Sequence, residues 1–146
     1  MDQIDVAVVG TGWCGGIRAE ACAGNPLVSG IHIAENRPER LNEMAAKIGA
    51  KSATADYRAL LDNKDISAVF VCATPETTHF PMTRDFLRAG KHVFLEKPIA
   101  LELEEADELI SIARANRLKF TIAEFLNVYF SRGNAKALGD LGSQVM

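Results

Sequence analysis

Short apolar runs separated by stretches of helical spacing organise this chain from end to end. Runs at residues 6–9, 28–33, 68–72, 93–95 and 120–123 predict strands. Helical patterns lie between successive runs, and that alternation predicts a parallel sheet, because parallel neighbours need a crossover between them. In the segment AVFVCA, residues 68–73, apolar positions follow one another without alternation. A strand covered on both faces reads that way. The expected fold is therefore α/β, a doubly wound, mainly parallel sheet with helices on both faces.

The helical stretches carry apolar stripes at Leu41, Met44, Ala45 and Ile48, at Met82, Phe86 and Ala89, and at Leu103, Ala106, Leu109, Ile110 and Ala113. Their spacing marks faces that pack on the sheet. Asp56 before YRALL is placed as an N-cap, Pro38 and Pro81 stand near helix starts, and Gly49 and Gly90 fall where helices should stop. SRGNAKALGDLG near the end reads as one more short helix.

With 146 residues and 48% hydrophobic positions, the chain can bury one core. No apolar run reaches the roughly 18 to 20 residues of a membrane span. The start, MDQIDVAVVG, lacks the basic flank of a signal peptide, so a cytoplasmic location is expected. Cys14, Cys22 and Cys72 form no metal-binding spacing with one another or with His32, His79 and His92, so no metal is expected. The net charge is −3 and the 16 Lys and Arg residues are scattered, which argues against nucleic acid or anionic membrane as a partner.

Gly10-Thr11-Gly12-Trp13-Cys14-Gly15 fits G-x-G-x-x-G, a weak signal by itself in a chain with 11 glycines. Its setting strengthens it, since it follows the strand DVAVV and opens a helix expected over 17–23. There Gly10 permits the turn, Gly12 lets backbone approach a pyrophosphate, and Gly15 lets helix and strand lie close. Twenty residues past Gly15, at the end of IHIAE, stands Glu35. A Rossmann-type domain places its ribose-binding carboxylate there, although a solvated strand-end acid is the plainer alternative. The carboxylate points to NAD, while Arg37 and Arg40 leave NADP open as a second choice.

Two further motifs sit at strand ends, the edge where open α/β sheets bind ligands. Ala73, Thr74 and Pro75 lead to His79 in an ATP-x-x-x-H stretch, and HVFLEKP ends on Glu96, Lys97 and Pro98. His79 either touches the cofactor or bonds backbone at a helix entry. Together with the glycine loop and Glu35, these motifs make the chain resemble, over nearly its whole length, the N-terminal domain of the glucose-fructose oxidoreductase and inositol dehydrogenase family.

That resemblance implies NAD or NADP as cofactor and hydride transfer to or from a hydroxyl-bearing carbon of a sugar, polyol or similar small molecule. It implies Lys97 as the catalytic residue beside the reacting hydroxyl, with a cis bond before Pro98. The remaining residues named above, Gly10 to Gly15, Glu35, Arg37, Arg40, Ala73, Thr74, Pro75, His79 and Glu96, become candidate cofactor contacts. Residues 1–123 would be the dinucleotide-binding domain, and 124–146 the start of a connection to a substrate domain absent from the sequence. The chain alone would then be catalytically incomplete, with a homo-oligomer expected for the complete enzyme. Departures from the family pattern fall at Glu76 and Tyr129. A non-catalytic NAD(P)-binding sensor or assembly module would keep the glycines and Glu35 but have no use for Lys97, and a methyltransferase would explain neither later motif.

Overall fold

A computed structural model describes residues 3–123. Strands β1 (Ile4–Val9), β2 (Val28–Ala34), β3 (Ser52–Thr54), β4 (Ile66–Val71), β5 (His92–Glu96) and β6 (Phe120–Ala123) form one sheet in the order β3-β2-β1-β4-β5-β6. Every pairing is parallel. Helices α1 (Trp13–Ala23), α2 (Pro38–Ile48), α3 (His79–Arg88) and α4 (Leu103–Ala115) make the crossovers, with short 3₁₀ turns at Tyr57–Leu60 and Glu76–Thr78. Among the described residues, no helix is long and apolar enough to cross a membrane.

The two faces of the sheet carry separate cores. Val6 and Val8 of β1 pack with Ile31, Ile33, Ala19, Cys22 and Met44 beneath α1 and α2. Ala7 and Val9 point the other way, into a core with Val69, Val71, Phe86, Leu87, Leu95 and Leu109 beneath α3 and α4. Alternate residues of one strand are thus both buried, which explains the unbroken apolar runs.

The elements differ from expectation in four places. The edge strand β3, Ser-Ala-Thr, has no apolar run to announce it; it is held in register with β2 by pairing, from His32 opposite Ser52 to Ala34 opposite Thr54. A buried polar cluster supports the same edge. Asp5 accepts from Ser29, Lys51 and His32, whose other ring nitrogen lies 2.7 Å from the Ser52 hydroxyl. Hydrogen bonds from Lys51 and Ser29 hold the Asp5 carboxyl well below the usual carboxylate range, against the opposing effect of burial. Secondly, α1 begins at Trp13, so that Gly15 and Gly16 lie inside its first turn and not before it. Thirdly, Leu103 is 74% exposed at the start of α4, while Ala106, Leu109 and Ala113 carry that helix's buried face. The stripe begins one turn later than its spacing suggested. Finally, β4 runs from Ile66 to Val71 and leaves Cys72 in the loop beyond. The helix expected in SRGNAKALGDLG, and Tyr129, lie outside the described residues.

Capping follows the sequence closely. Pro38 occupies the first turn of α2, Gly49 ends it in the left-handed conformation, and Asp56 accepts from the Arg58 amide at the 3₁₀ turn.

Candidate functional site

The strand order reverses between β1 and β4: the chain runs outward through β2 and β3, then crosses back to β4, β5 and β6. Loops leaving β1 and β4 therefore diverge, and a crevice opens at their carboxyl ends. The cleft found there has a volume of about 730 Å³.

Its floor is the glycine loop. Gly10 has φ +80°, and a Cβ on it would lie 2.6 Å from the Ala73 Cα, so the turn excludes other residues both by conformation and by space. At Gly15 a Cβ would fall 1.8 Å from the Gly10 carbonyl oxygen, which shows how closely α1 lies on the strand. Gly12 differs: a Cβ there would meet only the Arg37 guanidinium, at 3.8 Å. Nothing in the fold itself requires a glycine at that position, but a ligand lying against the backbone would. Gly12 caps α1 without a side-chain hydrogen bond, and no acid lies in the first turn. The helix therefore presents unpaired N–H groups and the positive end of its dipole to the cleft, a site suited to a pyrophosphate.

At the β2 end, Glu35 is 5% exposed and heavily bonded. Its carboxylate accepts from the Thr11 amide at 2.9 Å and the Thr11 hydroxyl at 3.0 Å, and from the amide, Nε and Nη2 of Arg37. Burial raises its pKa, but the bonds from Arg37 and Thr11 outweigh burial and bring it to about 2. Glu35 is thus ionised, and the largely exposed Arg37 guanidinium covers it. Arg40 sits behind the loop, where its Nε donates to the Thr11 carbonyl at 2.8 Å and its Nη1 to Glu43 at 2.9 Å.

At the opposite end, beyond β1, stand the loops after β4 and β5. Thr74–Pro75 and Lys97–Pro98 are both cis. Glu96 is paired with Arg18 of α1, whose guanidinium also lies 5.2 Å over the Phe94 ring and donates to the Cys14 carbonyl. One arginine thus links the glycine loop's helix to the Glu-Lys-Pro loop. Lys97 is exposed on the cleft wall, and no carboxylate among the described residues forms an ion pair with it. His79 is buried, with Nδ1 2.8 Å from the Pro98 carbonyl oxygen and Nε2 3.1 Å from that of Ala73. The ring thus bonds backbone at the helix entry and also lines the cleft.

Residues 4–124 match an oxidoreductase family, GFO_IDH_MocA, described by its NAD-binding Rossmann fold. The chain belongs to this family. It is 33% identical over 117 residues to a myo-inositol 2-dehydrogenase of Thermotoga maritima, covering 80% of this chain and 35% of that protein. Among solved structures it resembles scyllo-inositol dehydrogenase from Lactobacillus casei with bound NAD(H) and scyllo-inositol, with a TM-score of 0.84 and 28% identity over 97% of this chain and 42% of that one. It also resembles a 3-ketoreductase from Actinomadura kijaniata in complex with TDP-benzene and NADP, with a TM-score of 0.74 and 31% identity over 83% of this chain and 38% of the other. The chain spans about a third of the length of the curated relatives it matches.

Within this family domain, Gly10, Gly12, Trp13, Cys14, Glu35, Arg37, Ala73, Thr74, His79, Glu96 and Lys97 line one cleft. Thr11, Gly15, Pro75 and Arg40 do not line it: Thr11 is fully buried and orients Glu35, and Gly15 sets helix packing. Trp13 is 83% exposed at the rim. Burial pushes the Cys72 thiol up to about 12, leaving it a packing residue. Sequence reasoning did not place Arg18, Asn36 or Tyr57 at the site and read Met82 only as part of a packing stripe, yet all four border or brace the cleft. Arg18 could have been sought as a helix cation one turn past the loop, but its partner Glu96 lies 78 residues away in sequence and was not recoverable from spacing.

Proposed function

We propose that this chain supplies the cofactor half of an NAD(P)-dependent dehydrogenase site that acts on a hydroxyl-bearing carbon of a sugar, polyol or similar small molecule. The observation that carries this reading is a single cleft with an ionised carboxylate, Glu35, at one end, an uncapped helix N-terminus at its centre and an ammonium, Lys97, at the other. Carboxylate, anion site and cation follow the order of ribose, pyrophosphate and nicotinamide along a dinucleotide. The names of inositol dehydrogenases among the relatives support the substrate class.

When bound, the nicotinamide accepts or donates a hydride at C4. Glu35, held in place by Thr11, would accept hydrogen bonds from the adenosine ribose once Arg37 moves aside. The N–H groups of the α1 first turn would hold the pyrophosphate. Lys97 would face the substrate oxygen, where its charge stabilises the negative charge that develops as the hydroxyl proton leaves. Arg18 keeps the neighbouring Glu96 from competing for that ammonium by occupying its carboxylate.

NAD is the preferred cofactor on this reading, since the buried Glu35 charge opposes a 2′-phosphate; Arg37, already at that carboxylate, is the cation that would let NADP be accepted. Residues 1–123 act as the cofactor domain, and the remaining substrate contacts come from residues outside it. Among the described residues His32, His79 and His92 each hydrogen-bond to protein groups, and of the three only His79 lines the cleft.

Calorimetric titration with NADH and NADPH tests the reading. Saturable binding of NADH that is lost in Gly12→Val is the expected result, and failure of the wild-type chain to bind either cofactor overturns it.

A further inference from the structure

The loops after β4 and β5 leave adjacent strands whose last registered pair is Val71 with Leu95. Beyond that pair the backbones part. The first loop carries Ala73, Thr74 and Pro75, and the second follows Glu96 at the end of β5 with Lys97 and Pro98; both reach the cleft. His79, the first residue of α3, lies between them at 2% exposure, with Nδ1 2.8 Å from the Pro98 carbonyl oxygen and Nε2 3.1 Å from that of Ala73. Among the described residues it is the side chain that hydrogen-bonds both loops.

A carbonyl oxygen can only accept, so each contact the ring holds is donated by a ring N–H: two N–H groups hold both loops, and a ring with one N–H holds one loop and merely touches the other. In either form no ring nitrogen is left for a ligand. With both ring nitrogens turned to backbone carbonyls, His79 acts on the cofactor end of the cleft through the two loops it holds.

We propose that His79 is a positioning residue that sets the separation of the Thr74 and Lys97 loops, and so the fit of the nicotinamide end of the cleft. This rests on the cofactor reading above, in which Glu35 on β2 marks the adenosine end and the β4 and β5 loops, across β1, mark the other. The brace lies wholly at one end. Its removal should weaken recognition of the nicotinamide half and spare the rest of the molecule, because Glu35, Thr11 and the α1 N-terminus share no hydrogen bond with it.

ADP-ribose, which lacks the nicotinamide, separates the two halves. In the full chain, His79→Ala is expected to weaken NADH binding about tenfold while ADP-ribose affinity stays within about twofold, and His79→Gln, whose amide again offers N–H donors, should recover most of the loss. His79→Phe, which fills the ring's space without an N–H, is read in the same way should the alanine variant fail to fold. Parallel loss of both ligands, unchanged NADH affinity, or a glutamine variant no better than alanine overturns the proposal while leaving the cofactor reading intact. A wild-type chain that binds neither ligand sinks both.

Discussion

Glu35 occupies the position where burial and bonding oppose each other most directly. Desolvation alone would favour its neutral form, yet donors from Arg37 and Thr11 bring its pKa from an ordinary 4.5 to about 2. A carboxyl depressed by folding stabilises the native state above its unfolded pKa, and that contribution disappears as pH falls through the folded value. Glu35→Gln should therefore cost about 1 kcal/mol at pH 7 after allowance for solvent screening around Arg37. Urea unfolding at intervals from pH 7 down should show the wild-type advantage shrinking below pH 4.5 and vanishing near pH 2. Arg37 answers a different question. Removing it by Arg37→Ala leaves the Glu35 charge uncovered, so parallel titrations should show NADPH weakened about tenfold more than NADH, the effect of one lost charge-assisted contact to phosphate. A preference that does not move would show that Arg37 takes no part in cofactor choice. The place of Glu35 was legible from its spacing to the glycine loop. That Thr11 orients it from within the core was not, because a threonine in a loop carries no mark of burial.

At the scale of elements, α1 brings two glycines of one motif into contrasting situations. Gly15 is demanded by the fold, since its Cβ would overlap the Gly10 carbonyl, whereas a Cβ on Gly12 would make only ordinary contact with the Arg37 guanidinium. Gly15→Ala should unfold the chain or lower its melting temperature markedly, through overpacking against backbone that cannot yield. Gly12→Val should melt close to wild type and fail to bind NADH; a melt as low as that of Gly15→Ala would show that Gly12 is structural after all. Helix α4 offers a second contrast. Leu109 is fully buried and Leu103 is exposed, so Leu109→Ala should cost about 2–5 kcal/mol and Leu103→Lys less than about 0.5 kcal/mol by urea unfolding. Periodicity alone assigned both leucines to one stripe. The first turn of a helix can overhang the sheet it packs on, and no spacing rule reports where the sheet ends.

Across the whole molecule, the parallel sheet positions three kinds of charge along one crevice because every strand delivers its carboxyl end to the same edge. A ligand that spans the crevice binds the folded chain only, and stabilises it by mass action. NADH at about a hundred times its dissociation constant should therefore raise the unfolding free energy by about 2.7 kcal/mol. S-adenosylmethionine, which a methyltransferase would bind in a similar loop, should leave the melting temperature unchanged, and stabilisation by it in place of NADH would remove the dehydrogenase reading.

The sequence by itself determined the α/β class, the parallel order of apolar runs, the glycine loop, the acid at the end of the second strand and the Glu-Lys-Pro motif. Each of these is local: a period, a spacing or a residue type whose physics acts within one or two elements. What only the tertiary structure decided is relational. The edge strand Ser52–Thr54 exists because β2 offers it a ladder, not because its residues favour extension. Arg18 meets Glu96, and His79 meets Pro98, because parallel crossovers return distant segments to one edge of the sheet. Such pairings depend on strand order, and strand order is settled by how all the helices cover both faces at once.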